Sequence, residues 1–319
     1  MKAAVHYHYG APEVLQIAEI PTPVPAANEV LIRVSYATVN RTDTGFRTAE
    51  YFISRFFSGL FRPKNPVLGC EFSGVVESAG NAVTRFKPGD RVYGFNDSRF
   101  GAHAEYVCLP EDAALGIVPE ALTLRTAACI TEGGHYALCN LRAAAIAPGQ
   151  RWLIQGCTGA IGSAAVQLAK HFGAEVTAVT FERYAEIVRT FQPDHLILHE
   201  QQDFTLNGET YDVVFDAVGK STFGKCKRIL KPGGVYMSTE LGPGGQNPFL
   251  AIWGKIKGGT RVLFPIPITT REDIELLGAL AAEGKFTPLI DREYTLDQIV
   301  EAHAYVQSGQ KLGNVLVAL

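Results

Sequence analysis

The sequence predicts an α/β protein that combines a doubly wound parallel sheet with a second, β-rich region. Three observations predict it: short alternating strands in the first hundred or so residues, a strand–helix alternation further on, and a glycine-rich turn between a buried strand and a helix. A chain of 319 residues exceeds the usual domain of about 100 to 200 residues. We therefore expect two domains.

The prediction of a β-rich region rests on the alternation of apolar and polar residues. The pattern predicts strands at Glu29 to Tyr36 and at Ser73 to Ser78, with turns such as Lys87 to Asp90 between strands.

The sequence pattern changes near Leu122, where an alanine-rich stretch that is predicted to be helical begins and runs to Leu141. Strands then alternate with helices, which is typical of a parallel sheet with crossover connections. The chain should close with helices at Glu272 to Gly284 and Leu296 to Ser308 and a final strand. The parallel strands are expected at Trp152 to Gln155, Val176 to Thr180, His195 to Leu198, Asp212 to Asp216 and Val235 to Ser238.

Composition excludes several classes of partner. Apolar residues make up 47% and charged residues 19%, as in ordinary globular proteins, and the net charge is −3. No run of five or more Lys and Arg could track nucleic-acid phosphates, and no stretch of about 18 apolar residues could span a membrane. We expect a cytosolic protein that binds neither nucleic acid nor membrane, with its six scattered cysteines reduced.

A dinucleotide-binding loop is predicted at W-L-I-Q-G-C-T-G-A-I-G. Its glycines, Gly156, Gly159 and Gly162, provide a tight turn, close approach to a pyrophosphate and close packing of the helix. Amides at the helix N-terminus would face the phosphates, and Thr158 adds a hydroxyl. The alternative is a glycine-rich turn of another α/β protein. The predicted phosphate contacts therefore come from Gly156, Thr158, Gly159, Ala160, Ile161 and Gly162.

The end of the second strand indicates which nucleotide binds. An acidic residue there favours NADH, whereas this chain has Thr180, followed by Arg183, whose guanidinium can clamp a 2′-phosphate. NADPH is therefore expected in preference to NADH. Two observations weigh against this: Glu182 is adjacent, and Arg183 is also compatible with a solvated helix position.

Several segments together resemble the medium-chain dehydrogenase/reductase superfamily, and within it the zinc-independent, zeta-crystallin-like quinone oxidoreductase branch. They are Y-G-A-P-E-V-L, V-N-R-T-D at 39–43, L-G-C-E-F-S-G-V-V-E-S-A-G at 68–80, F-K-P-G-D-R-V-Y-G at 86–94, G-A-H-A-E-Y-V, the glycine loop and F-D-A-V-G-K. The resemblance implies a GroES-like catalytic domain formed by residues 1–121 and 276–319, a Rossmann domain formed by 122–275, and an active site in the cleft.

The resemblance also bears on zinc. The positions that hold catalytic zinc in the related alcohol dehydrogenases match Asn40, Cys70 and Cys129, and an amide is a poor replacement for a thiolate. No two cysteines are separated by just two residues, so the structural zinc lobe is missing as well. We expect no metal, although Glu71 could complete a site, which keeps a zinc-dependent alcohol dehydrogenase as an alternative.

Site residues carried over from the family are Asn40 and Asp43 of an N-x-x-D element, and Tyr51 beside the nicotinamide. Two departures are Gly45, where many relatives have tyrosine, and His199, where the third strand usually ends in an aspartate–tyrosine pair. The roles of Glu132 and His135 stay open. Further cofactor contacts are implied for Val218, Phe264 and Asn314.

The implied activity is NADPH-dependent reduction of quinones or α,β-unsaturated carbonyls, with hydride added to the β-carbon of an enone. The aromatic segment Tyr51 to Phe61 favours flat hydrophobic substrates. A nucleotide-binding protein without turnover is the alternative from another class. The resemblance also implies a homodimer through an edge strand, at residues 235–239 or 261–264.

Overall fold

The computed structural model describes residues 1–50, 54–257 and 259–319. Strands are numbered here in chain order. They are β1 (Lys2–Val5), β2 (Gln16–Glu19), β3 (Glu29–Val39), β4 (Glu71–Ala79), β5 (Arg91–Phe95), β6 (Tyr106–Pro110), β7 (Leu115–Ile117), β8 (Arg151–Gln155), β9 (Glu175–Thr180), β10 (His195–Leu198), β11 (Tyr211–Asp216), β12 (Leu230–Ser238), β13 (Arg261–Leu263), β14 (Ile290–Thr295) and β15 (Asn314–Ala318).

The helices are numbered in the same way, and single 3₁₀ turns lie between some of them. They are α1 (Arg41–Thr48), α2 (Ser54–Ser58), α3 (Leu124–Ala127), α4 (Thr131–Ala143), α5 (Ala160–His171), α6 (Ala185–Arg189), α7 (Phe223–Cys226), α8 (Gln246–Lys257), α9 (Arg271–Ala282) and α10 (Ile299–Gln307).

The chain divides into two compact units. Unit 1 comprises Met1–Glu132, Thr269–Ala282 and Ile290–Leu319, and unit 2 comprises Gly133–Ile268 and Glu283–Leu289. The first boundary lies later than the one expected at 121/122, because α3 and the start of α4 pack with unit 1, where α3 contacts β3, β4 and β5. The second lies earlier than 275/276, because α9 packs on β7.

Unit 2 contains a parallel sheet with the strand order β10-β9-β8-β11-β12-β13. This order is that of a doubly wound sheet, with the first strand, β8, in the middle and the chain crossing to either side of it. Trp152, Leu153 and Ile154 of β8 are fully buried, as expected of a strand covered on both faces. The predicted Rossmann architecture is confirmed.

One of the two predicted edge strands is wrong. Residues 235–239 belong to β12 and its end, and β12 is paired on both sides, with β11 and with β13. Residues 261–263 form β13, which is the terminal strand of the sheet in the described part of the chain.

Unit 1 is built on a mainly antiparallel sheet with the path β14-β15-β3-β4-β5-β7, with β6 paired to the first half of β3. Val30, Ile32, Val34, Phe72 and Val92 lie in its core. Strand β15, close to the C-terminus, pairs with β3, so the last residues complete a sheet begun near the N-terminus.

The described helices include none that is both long enough and apolar enough to cross a membrane.

Candidate functional site

The glycine loop of unit 2 follows β8 and leads into α5. Gly156 has a φ of 80°, and a Cβ there would lie 2.8 Å from Cβ of Val218. A Cβ on Gly162 would lie 2.1 Å from the carbonyl oxygen of Gly156, closer than any side chain permits. These two positions therefore require glycine, and the loop folds tightly against the start of α5.

The first turn of α5 is the part of the loop suited to an anion. Gly159 is the N-cap, and no side chain caps the helix there. Backbone amides at a helix N-terminus carry partial positive charge and bind phosphates. Thr158, Gly159 and Ile161 are partly exposed, so this turn is accessible to a ligand.

Helix α4 approaches the same turn closely. A Cβ on Gly133 would lie 2.6 Å from the carbonyl oxygen of Ala160. His135, one turn along α4, is buried, and its ring centroid lies 4.4 Å from that of Tyr136. Gly133 of T-E-G-G-H-Y thus allows α4 to pack on the loop.

Aromatic and arginine side chains stack on one another at the carboxyl end of β9. Thr180 ends the strand and is buried. The Arg183 guanidinium lies over the rings of Phe181 and Tyr184, at 5.2 and 4.7 Å, and Phe181 stacks on His199 with 5.5 Å between centroids. The structure brings Thr180, Arg183 and His199 to one edge of the sheet, which is the edge that carries the glycine loop.

Two further predicted cofactor residues also belong to unit 2. Val218 follows β11, and its amide donates to Oδ1 of Asp216. Phe264 directly follows β13. Because the carboxyl ends of parallel strands meet at one edge, both lie on the edge of the glycine loop. Asn314 belongs to unit 1, where its amide donates to the carbonyl oxygen of Cys129 at 3.4 Å.

Asn40 and Asp43 meet in unit 1 as a capping box at the start of α1. Oδ1 of Asn40 accepts from the backbone amide of Asp43 at 3.0 Å, and Oδ2 of Asp43 accepts from the backbone amide of Asn40 at 3.1 Å. Oδ1 of Asp43 also accepts from the amide of Gly69. The side-chain nitrogen of Asn40 donates to Sγ of Cys70 at 3.1 Å. Both residues are thus held rigidly by local backbone.

Glu71 lies next to this pair and is the hydrogen-bond acceptor for a group of buried residues. One carboxylate oxygen accepts from the backbone amides of Thr131 and Glu132 and from the Thr131 hydroxyl, and the other accepts from the Thr38 hydroxyl. A carboxylate held by two amides at the start of α4 is stabilised by the helix dipole as well. Glu71 therefore positions the chain at Thr131 and Glu132.

Burial raises the pKa of three carboxyl groups here. Desolvation raises the pKa of Asp43, Glu71 and Glu132 to about 7 each, and mutual repulsion with Glu132 adds to the rise at Glu71. Burial also raises the pKa of the Cys70 and Cys129 thiols. At pH 7 each of these three carboxyl groups is therefore about half protonated, whereas an ordinary carboxyl group is ionised, and both cysteines are thiols.

A cavity of about 560 Å³ opens elsewhere in unit 1. Phe46, Phe56 and Phe100 line it, with Phe46 and Phe100 in ring contact at 4.8 Å. His6 and Lys64 are among its polar lining residues. Phe56 comes from the aromatic segment expected to line a pocket, whereas Tyr51 lies outside the described residues.

Sequence reasoning missed Phe46 and Phe100. Phe46 lies three residues after Asp43, so on a helix the two side chains share a face, and this spacing was a signal for Phe46. It also comes directly after Gly45, the position where many relatives have tyrosine. Phe100 gave no such signal, since it reaches the cavity through a loop whose path no local pattern specifies.

The donor set does not fit a catalytic zinc ion. Asn40 directs its amide nitrogen, which has no lone pair to offer, at Cys70, and its oxygen is engaged in the helix cap. Within the described residues, no group of three or more His, Cys, Asp and Glu side chains is arranged to hold a metal.

Two protein families match the chain. The alcohol dehydrogenase GroES-like domain matches residues 26–120, and the zinc-binding dehydrogenase family matches residues 192–317. A trans-enoyl reductase of Aspergillus terreus is 30% identical over 94% of this chain and 90% of its own length. The chain is an oxidoreductase of the medium-chain dehydrogenase/reductase superfamily, in its quinone oxidoreductase branch.

Other members of the superfamily also match along nearly the whole chain. A 2-methylene-furan-3-one reductase of Solanum lycopersicum is 28% identical over 99% of this chain and 79% of its own length. The quinone oxidoreductase structure from Coxiella burnetii superposes with a TM-score of 0.89 at 28% identity, covering 100% and 99% of the two chains. The Escherichia coli quinone oxidoreductase, solved with NADPH, superposes with a TM-score of 0.84 at 25% identity over all of both chains. The family and fold expected from the sequence are confirmed.

Proposed function

We propose that this oxidoreductase uses NADPH, without zinc, to reduce quinones or α,β-unsaturated carbonyl compounds. The observation that carries the proposal is the glycine cradle, in which Gly156 and Gly162 pack against each other beside an uncapped helix N-terminus. The relatives named as quinone and enone reductases support the substrate class. The six cysteines are free thiols, and four of them are buried, which is in keeping with a reducing compartment; the cytosol is the proposed location.

The cofactor would be held by unit 2. The amides of Gly159, Ala160 and Ile161 would bind the pyrophosphate together with the Thr158 hydroxyl, while Val218 and Phe264 border the nucleotide. Asn314 is the contact proposed from unit 1. When bound, the reduced nicotinamide supplies a hydride.

Preference for NADPH is proposed from the end of β9. Thr180 has no charge to repel a 2′-phosphate, and Arg183, held over Phe181 and Tyr184, is placed in the turn after the strand. His199 stacks on Phe181 from the next strand. Glu200 is the nearby opposing charge, since its carboxylate accepts from the amide of Glu182 at 3.1 Å.

Substrate orientation is assigned to Asn40, with Asp43 as its positioning residue. The Asn40 amide nitrogen carries two hydrogens, one directed at Cys70, and the second can donate to a carbonyl oxygen. A hydrogen bond at that oxygen stabilises the negative charge that develops when hydride reaches the β-carbon. The proton that completes reduction comes from solvent or from the Tyr51 hydroxyl.

Flat, hydrophobic substrates are proposed because phenylalanine rings dominate the apolar lining of the unit 1 cavity. Phe46, Phe56 and Phe100 present ring faces and edges, which favour stacking with planar ligands.

A homodimer through β13 is proposed as the assembly. The strand is terminal in the described sheet, and several large apolar side chains of unit 2 near it in sequence are exposed. They are Phe249, Ile252, Trp253, Ile266 and Ile268.

The test is oxidation of NADPH by a panel of quinones and enones, using protein treated with a chelator and checked for bound metal. The proposal expects turnover of at least one acceptor, unchanged by the chelator. Binding of NADPH without turnover of any acceptor would favour a non-catalytic protein, and activity restored only by zinc would indicate an alcohol dehydrogenase.

A further inference from the structure

A buried cationic cluster lies in unit 1 where α1 packs against α10. Arg47 of α1 is fully buried, and its Nη2 donates to Oε1 of Gln307 in α10. His303, one turn before Gln307, is also fully buried and meets the ring of His103 edge to face, with 5.4 Å between centroids. Charged and polar groups thus meet in an otherwise apolar interior.

Several atoms of this cluster lack a hydrogen-bond partner among the described residues. They are Nε and Nη1 of Arg47, both ring nitrogens of His303 and Nδ1 of His103. A buried donor without an acceptor costs free energy, and an unpaired buried charge costs considerably more. Folded proteins therefore supply a partner for such groups.

The charge of Arg47 is not neutralised by any ion pair within the described part of the chain. Burial lowers the pKa of its guanidinium only to about 10, so it stays protonated at neutral pH. The carboxylate that acts on it is that of Glu13, which is exposed and acts at longer range. A buried positive charge with only a neutral amide as partner calls for a counter-ion.

The chemistry of the cluster favours an anion over a metal ion. Three histidines, His6, His103 and His303, lie close enough to influence one another's pKa. Nδ1 of His6 and Nε2 of His103 donate to backbone carbonyl oxygens, which leaves a lone pair on the other ring nitrogen of each. Among the described residues, however, no group of three or more His, Cys, Asp and Glu side chains is arranged to hold a metal ion. The charge of Arg47 also lowers the pKa of His303 and of His6, and the same charge would repel a metal.

We propose that a small monovalent anion, such as chloride, binds inside unit 1 between Arg47 and His303. One N–H of the guanidinium and the N–H of the His303 ring donate to it. His6 both lines the 560 Å³ cavity and responds to the Arg47 charge, so it marks the route by which an anion enters. The bound anion would hold α1, which begins at the Asn40 cap, against α10.

Thermal unfolding of the full chain tests the proposal. At constant ionic strength, chloride or bromide replaces gluconate, an anion too large for a buried site. Binding to the native state alone should raise Tm by roughly 2 to 4 °C and then saturate. The Arg47→Met variant should lose this response, whereas Arg33→Met, which removes a half-exposed arginine of the same unit, should keep it.

Equal Tm values in gluconate and in chloride would show that water alone satisfies the cluster, and would overturn the proposal. Because Arg47→Met alters a fully buried position, a second measurement uses the unmodified chain. Crystals grown in bromide should show an anomalous peak within hydrogen-bond distance of Arg47 and His303. Absence of that peak would equally overturn the proposal.

Discussion

The side-chain nitrogen of Asn40 donates a hydrogen bond to the thiol of Cys70 across 3.1 Å. In the alcohol dehydrogenases that this chain resembles, the two matching positions bind zinc. Here one side chain presents hydrogen to the other, and burial raises the pKa of the Cys70 thiol, which keeps it protonated. We propose that the second hydrogen of the Asn40 amide is the one that contacts an uncharged substrate oxygen.

Replacing Asn40 separates its two roles. Serine caps helices about as well as asparagine does, so Asn40→Ser should change the free energy of unfolding by less than about 1 kcal/mol. It cannot donate an amide hydrogen to the substrate, so kcat/KM should fall at least tenfold, or about 1.4 kcal/mol. Steady-state kinetics and urea unfolding check this. Equal activity in the variant would restrict Asn40 to capping α1.

The glycine loop offers a matched pair of substitutions. A Cβ at Gly162 meets the Gly156 carbonyl oxygen at 2.1 Å, so Gly162→Ala should be destabilised, by about 2 kcal/mol or more. At Gly159 the nearest atom is 3.5 Å away and the backbone is extended, so Gly159→Ala should fold normally. It should nevertheless bind NADPH more weakly, because the methyl group hinders approach of the pyrophosphate.

Thermal unfolding and nucleotide titration of both variants decide the matter. Unchanged stability in Gly162→Ala would mean that the loop can relax. Unchanged affinity in Gly159→Ala would place the pyrophosphate elsewhere.

Stability should depend on the ionisation of Glu132. Its pKa is raised from 4.5 to about 7, chiefly by burial, so the native state keeps a proton that the unfolded chain releases. The stability associated with that proton is present below pH 4.5 and is lost as pH rises through 7. Glu132→Gln should therefore become more stable relative to the unmodified chain as pH rises from 4.5 to 7, by roughly 3 kcal/mol at about 1.4 kcal/mol per pKa unit.

Urea unfolding across that pH range measures the difference. The exposed Glu120→Gln should follow the unmodified chain at every pH. Parallel curves for Glu132→Gln and the unmodified chain would contradict a raised pKa at Glu132.

If the proposed dimer forms through β13, a charge introduced near this strand should dissociate it. Trp253 of α8 is 63% exposed, and a glutamate in its place would carry an unpaired charge into the interface. Trp253→Glu should elute as a monomer in light-scattering chromatography, while Val24→Glu, a change at an exposed apolar residue of unit 1, should leave the dimer intact. A dimeric Trp253→Glu would exclude this surface.

The parallel sheet could be predicted from sequence because each of its buried strands is a short apolar run bounded by turn residues. Trp152 to Gln155 is followed directly by glycine, so both the strand and its boundary were evident. The edge was harder to predict. Val235 to Ser238 is the end of β12 and Arg261–Leu263 is β13, and only the crossover path decides which strand lies at the edge of the sheet.

The candidate site likewise contains features that could be predicted from sequence and features that could not. Gly156 and Gly162 could be predicted because the backbone geometry excludes other residues at these two positions. The hydrogen bond from Asn40 to Cys70, the four donors on Glu71 and the cluster around Arg47 join residues that are distant in sequence. No local pattern encodes such contacts, and they depend on how β3, β4 and the helices pack.

The most direct test of the central claim is a titration of chelator-treated protein with NADPH and with NADH, followed by nicotinamide fluorescence, and then addition of a quinone. The account predicts that NADPH binds at least tenfold tighter, or about 1.4 kcal/mol, and is oxidised when the quinone is added. Failure of both nucleotides to bind would contradict the assignment of the Gly156 to Gly162 loop, and with it the proposed reductase.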